Sequence, residues 1–213
     1  VWAEDVTPPA AMCQDLTIYL DSLNGVAGIT PQQVDNGSWD VCGVASLSLD
    51  TSSFDCSDVG SNVVTLTAVD SSNNSSTCTS LITVLDTVPP VVFCKDITVQ
   101  LDSATGSYQV KVGEVNNGYF DACGVPGTRT ILGSIADKTV DCSELGNNLM
   151  TVRFKDVNGN FGYCDANVWA EDVTPPAAMC QDLTIYLDSL NGVAGITPQQ
   201  VDNGSWDVCG VAS

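Results

Sequence analysis

The chain has 213 residues, with 26 acidic against six basic side chains and no histidine, for a formal net charge of −20. That charge argues against nucleic acid and anionic lipid as partners, and the missing imidazole removes Ser-His-Asp and Cys-His nucleophiles together with imidazole metal sites. Ten cysteines indicate disulfides formed in an oxidising, extracellular compartment, without the CxxC spacing of a zinc ribbon or thioredoxin-like site.

In chain order, the first feature is a duplication: residues 1–46 return without a substitution as residues 168–213, which makes the repeating unit 167 residues long. That length suits one large or two small domains. A Pro-Pro pair at Pro8, Pro89 and Pro175, each preceded by an aspartate (Asp5, Asp86, Asp172), punctuates the chain, and a cysteine follows each second proline, at Cys13, Cys94 and Cys180. Laying the first segment on the second matches Cys42 with Cys123, Cys56 with Cys142 and Cys78 with Cys164, with five more residues between the middle pair of the second. The resulting limits are 1–5 for the end of a preceding domain's last strand, 6–85 for domain 1, 86–171 for domain 2, and 172–213 for the first half of a repeated domain 1. Neither chain end falls on a domain boundary, so a window in a longer array is expected, with any secretion signal outside it. No apolar run approaches the roughly 20 residues that span a bilayer.

Period-two alternation marks strands in both copies. Leu16, Ile18 and Leu20 match Ile97, Val99 and Leu101, with Thr17 and Tyr19 against Thr98 and Gln100 between them. Later, Val64, Leu66 and Ala68 match Met150, Val152 and Phe154, while Thr67 and Val69 are replaced by Arg153 and Lys155 on what must be the outer face. Short strands, many Gly, Asn, Asp and Ser turns and no sustained helical period predict an all-β chain. It is a tandem, extended array of immunoglobulin-like or fibronectin-like antiparallel β-sandwiches of about 80 residues each. Such small cores benefit from disulfides.

Asp5-Val-Thr-Pro-Pro9, Cys13, Thr17-Ile-Tyr-Leu-Asp21, Val34-Asp-Asn-Gly-Ser-Trp-Asp-Val-Cys-Gly43, Val64-Thr-Leu-Thr-Ala-Val-Asp70 and Cys78 resemble a hyalin repeat (HYR) domain in its four-cysteine bacterial form. Domain 2 fits as well, with Asp156-Val-Asn-Gly-Asn160 where domain 1 has Asp70-Ser-Ser-Asn-Asn74. The resemblance covers the whole chain and implies sandwiches in large secreted surface proteins with adhesive or scaffolding roles and no catalytic centre.

Spacing alone leaves three pairings open for each four-cysteine domain. Cys13 opens the first strand and Cys78 the last, both near the pole where the chain enters. That places Cys13 with Cys78 and leaves Cys42 for Cys56. Domain 2 then joins Cys94 to Cys164 and Cys123 to Cys142, and Cys180 and Cys209 lack partners within residues 1–213.

The same pole should gather oxygen ligands. In domain 1 these are Asp5 on the entry linker, Asp35 and Asp40 in the loop after the second strand, and Asp70 and Asn74 in the last hairpin turn. Domain 2 offers Asp86, Asp121, Asp156, Asn158 and Asn160, and the third segment Asp172, Asp202 and Asp207. Oxygen-only clusters in irregular loops suit Ca2+, which takes six to eight oxygens at about 2.3 to 2.6 Å; the competing reading is that Asp and Asn simply shape turns. Asp156-x-Asn158-x-Asn160 is not an EF-hand, because Phe161 stands where glycine is required and Asn167 where glutamate is.

Candidate glycan sites are Ser22, Ser103, Ser189 and Thr87, in Asp-Ser/Thr-apolar runs that resemble bacterial O-glycosylation sites and read alternatively as simple turns, and Asn36, Asn73, Asn74 and Asn203 within Asn-x-Ser, a pattern that also arises by chance in so Asn- and Ser-rich a chain. Trp2 and Trp169 should face outward, and Trp39 and Trp206 should plug the pole. All six basic residues fall in domain 2, an alternation of charge that could set lateral register between fibres. The expected function is a non-enzymatic one. The chain reads as a structural component of an extracellular filament or surface stalk whose partners are further copies of itself. The alternative is a carbohydrate- or protein-binding adhesin module.

Overall fold

The computed structural model describes residues 4–124, 129–131 and 137–211, so Trp2 lies outside the described residues. Two compact units form. The first gathers residues 1–91, 119–128 and 154–162, and the second 92–118, 129–153 and 163–213. Both are all-β immunoglobulin-like sandwiches in tandem.

In the first unit the strands are β1 (Leu16–Tyr19), β2 (Ala27–Gly28), β3 (Val44–Leu49), β4 (Ser53–Phe54), β5 (Gly60–Asp70) and β6 (Ser75–Leu85). One sheet runs β1-β6-β5-β3 and a two-stranded sheet pairs β2 with β4. The long β5–β6 hairpin buries alternate residues, with Val64, Leu66, Ala68, Ile82 and Val84 inaccessible to solvent. Leu20, Ile29, Val34 and Phe54 close the core over them, each contributing roughly 1.5–3 kcal/mol by burial. Val34 arrives on a single helical turn, α1 (Pro31–Val34). Gln33 caps that turn by accepting the Thr30 N–H at 2.8 Å, and proline occupies its first position. Within otherwise antiparallel pairing, β1 lies parallel to β6, in register from Leu16 opposite Ile82 to Tyr19 opposite Leu85.

Residues 91–171 repeat the pattern with β7 (Val91–Cys94), β8 (Ile97–Gln100), β9 (Ser107–Val110), β10 (Asn116–Phe120), β11 (Arg129–Ile131), β12 (Lys138–Asp141), β13 (Gly146–Lys155) and β14 (Phe161–Glu171), the ends of β10, β13 and β14 falling on the limits between the two units. Their main sheet runs β11-β13-β14-β8, again with a parallel edge, β8 beside β14. Met150, Val152, Val168 and Ala170 are buried, as the alternation requires. Among the described residues no helix is long and apolar enough to cross a membrane.

Four disulfides form. Cys13–Cys78 joins the segment just before β1 to β6, and Cys94–Cys164 joins β7 to β14, the expected pairing. The other two correct the expectation. Cys56 bonds to Cys123, not Cys42, and Cys142 bonds to Cys209, not Cys123. Cys42 and Cys180 are free. The cause is local. Cys56 opens a 3₁₀ turn, Cys56–Asp58, with its sulfur beside the Gly25 carbonyl at 3.6 Å, whereas Cys42 sits on an exposed loop. Cys123 packs against the domain 1 core cluster in its place. Each of these bonds spans 67 residues and lies within one compact unit, joining cysteines from successive sequence segments, 6–85 with 86–171 and 86–171 with 172–213.

Candidate metal centre

Asp86, on the Pro-Pro linker after β6, Asp121, in the loop after β10, and Asp156, in the turn between β13 and β14, all belong to the first unit. A carboxylate oxygen from each lies within 4.8 Å of the others. Asp156 organises its turn. Its Oδ1 accepts the backbone N–H groups of Asn158 at 2.9 Å, Gly159 at 2.6 Å and Asn160 at 2.8 Å, and its Oδ2 accepts the Asn160 amide at 2.8 Å. Those asparagines then reach the linker, Asn158 Nδ2 donating to Asp86 Oδ2 at 2.6 Å and Asn160 Nδ2 to the Asp86 carbonyl at 3.2 Å. Both amides donate, so their role in this arrangement is to hold the acids in place.

Asp121 differs. Its Oδ1 accepts the Cys123 N–H at 2.8 Å, but its Oδ2 is buried without a hydrogen-bond partner. Burial pushes this carboxyl up from its ordinary range against the pull of the Cys123 N–H, and the charges of Asp86 and Asp156 push it further. A buried unpaired oxygen costs on the order of 1–3 kcal/mol, more when charged, and a cation held by three carboxylates would offset that cost. The donor set is hard oxygen on irregular loops, the chemistry of Ca2+. Asp86, Asp121 and Asp156 would hold the ion, which would supply positive charge linking linker, loop and turn.

The domain 1 counterpart is not an all-oxygen site. There the converging group is Asp5, Asp40 and the Cys42 thiol, which Asp5 pushes up by hydrogen bond and charge, with smaller contributions from burial, Asp40 and Asp70. Asp70 and Asn74 adjoin it through the Asn74 amide, which donates to the Asp5 carbonyl at 3.0 Å and to Asp70 Oδ2 at 2.8 Å. Burial opposes ionisation of Asp70, but its hydrogen bonds from Asn74, Ser72 and Asn73 outweigh this and hold it low. Asp35 lies outside the group. Its carboxylate accepts the Ser38 N–H at 2.9 Å and so shapes its own turn, as Asp202 does with Ser205 at 3.0 Å. In the third segment Asp172 and Asp207 meet Cys209, and Asp207 Oδ2 is again buried and unpartnered.

The remaining candidates are surface groups. Ser22, Ser103, Ser189, Thr87, Asn36, Asn73 and Asn203 are exposed, Asn74 partly so. Asp21 Oδ1 accepts the N–H groups of Leu23 and Asn24, both at 2.8 Å, so the Asp-Ser-Leu segment is a carboxylate-shaped turn. Trp169 faces outward, half exposed. Trp39 and Trp206 are 59% and 58% exposed, so neither plugs the pole: their backbones pair with Ala10 and Ala177 and direct the rings to solvent.

No protein-family model matches the chain, and neither does any curated protein. Similar solved structures include protocadherin gamma B7 extracellular cadherin domains 1–4, at 15% identity over 83% of this chain and 54% of that one, with a TM-score of 0.37. Protocadherin gamma B2 extracellular cadherin domains 1–5 are 15% identical over 85% and 43%, with a TM-score of 0.38. An endo-fucoidan hydrolase of glycoside hydrolase family 107 is 13% identical over 76% and 34%, with a TM-score of 0.26. This chain spans about half the length of these structures or less, and its fold assignment stands on the sheets themselves.

Proposed function

We propose that the chain is a structural segment of an extracellular filament or surface stalk, built from tandem hyalin-repeat-like sandwiches and non-enzymatic. The observation that carries this reading is the pair of disulfides Cys56–Cys123 and Cys142–Cys209, each joining successive sequence segments over 67 residues. A cross-link of that kind resists extension between repeats and needs an oxidising, extracellular setting. Calcium at Asp86, Asp121 and Asp156 stiffens the linker, and glycans on the exposed serines and asparagines cover the surface. Lateral contacts between copies draw on the charge difference between domains 1 and 2. Electron microscopy of the native material tests the reading. Long beaded threads with regular spacing are expected, and isolated globular particles would overturn it.

A second reading, a carbohydrate- or protein-binding adhesin module, is favoured by the solvent-facing rings of Trp39, Trp169 and Trp206. Binding of the chain to a glycan array that Trp39→Ala abolishes would support it.

A further inference from the structure

The repeat places the same loop in two environments. Asp40-Val41-Cys42 and Asp207-Val208-Cys209 are identical in sequence and closely alike in backbone hydrogen bonding. Asp40 Oδ1 accepts the Cys42 N–H at 2.7 Å and Asp207 Oδ1 the Cys209 N–H at 2.8 Å. The Gly43 and Gly210 N–H groups both close onto the aspartate carbonyl at 3.1 Å, with φ of 91° and 98°. Yet Val41 is 88% exposed and Cys42 free, whereas Val208 is half-buried and Cys209 is bonded to Cys142. The difference is the seat under the second copy. A Cβ added to Gly106 would stand 2.8 Å from Cys142 Sγ and 2.9 Å from Val208 Cγ2, so only glycine leaves room for the valine and the sulfur together. Domain 2 carries the same device in Asp121-Ala122-Cys123, which fills the seat of Gly25 and Cys56.

From this we infer that Val41 and Cys42 are a preformed plug for the Gly106–Cys142 seat of another unit of this same chain, and that the units are joined there by a Cys42–Cys142 disulfide. The valine selects the seat. Gly106 accommodates Val208, whereas Gly25 accommodates the smaller Ala122, so repeats alternate in order. In a unit whose Cys142 is not already bonded to its own Cys209, the Cys42 and Cys142 thiols lose two electrons and two protons, and a low-molecular-weight disulfide such as oxidised glutathione takes up both and becomes two thiols. The inference rests on the tandem reading for its partner and on the Cys209 geometry for its chemistry.

The test uses the full chain with C180S and C209S, which leaves Cys42 and Cys142 as its free thiols. With oxidised glutathione it should give a ladder of oligomers on a non-reducing gel, with peptides mapping to Cys42–Cys142. Adding C42S should return it to monomer, and adding V41D should slow the ladder on the order of tenfold. Monomers throughout, or Cys42–Cys42 and Cys142–Cys142 links in equal amount, would overturn the joint. Peptide mapping of native material gives an answer independent of the variants' folding: Cys42 bonded to a Cys142 supports the joint, and a free Cys42 overturns it. A free Cys42 within beaded threads would sink the joint and leave the filament reading intact.

Discussion

A Cβ on Gly25 would stand 2.5 Å from Cys56 Sγ and 3.1 Å from Cys123 Sγ, so the turn that follows β1 is the seat of the Cys56–Cys123 disulfide. Gly25 also holds φ at +65°, with its N–H closed onto the Asp21 carbonyl at 3.1 Å. Its sequence copy Gly192 has the same φ and nothing within 4 Å of the added carbon. Left-handed backbone costs an alanine about 1–2 kcal/mol, and that is the expected loss for Gly192→Ala. Gly25→Ala must in addition displace a disulfide, so its loss in urea unfolding should be at least twice as large. Equal losses would show that Gly25 is no seat.

Removing cysteine pairs separates the two kinds of bridge. Cys13–Cys78 and Cys56–Cys123 close loops of similar length, 65 and 67 residues apart, worth roughly 4 kcal/mol each in the chain-entropy account. Replacing either pair by serine should therefore lower stability by a similar amount. Protease sensitivity should differ. Loss of Cys56 and Cys123 frees the loop carrying Asp121 and should open the linker 86–90 to cleavage, whereas loss of Cys13 and Cys78 should leave that linker protected. Equal cleavage in both variants would contradict the assignment of Cys56–Cys123 as the tether.

The core was legible because burial follows period two. Val64, Leu66 and Ala68 and their copies Met150, Val152 and Phe154 alternate in sequence and are buried together in the fold. The convergence of Asp86, Asp121 and Asp156 was legible too, since sandwich topology brings linker, loop and last turn to one pole. The junction disulfides were not, because a pairing rule confined to one domain cannot reach Cys123 from Cys56. A signal was nevertheless present. The five additional residues of domain 2 make the within-domain separations unequal, while Cys56 to Cys123 and Cys142 to Cys209 are both 67. Asp35 was misplaced because an aspartate that ends a helical turn satisfies the N–H groups of its own loop before it reaches any neighbour.

Calcium binding should change the sign of one substitution. Without metal, Asp121 carries an unpaired buried oxygen beside two other carboxylates, so Asp121→Asn should raise the melting temperature by a few degrees, about 1 kcal/mol for a domain of this size. With millimolar calcium the wild-type chain should gain stability that Asp121→Asn lacks. Differential scanning calorimetry with chelator and with calcium reads both arms. A wild-type melting temperature indifferent to calcium would remove the metal and leave the filament.

The acids also set opposing dependences on pH. Asp21 is held below the ordinary carboxylate range first by the Asn24 N–H and then by Leu23, and Asp102 in the equivalent turn by Thr105 and Ala104. A depressed folded pKa contributes stability that is fully present above the unfolded value of about 3.9 and is lost as pH falls through the folded value. Asp121 has the reverse shift, so in metal-free solution its protonation adds stability as pH falls from above its raised pKa toward 3.9. In chelator, urea midpoints should therefore rise on mild acidification and then fall below about pH 4. Asp121→Asn should abolish the rise and keep the fall, while Asp21→Asn and Asp102→Asn together should shrink the fall and keep the rise. If the rise survived Asp121→Asn, the acid cluster would not be its source.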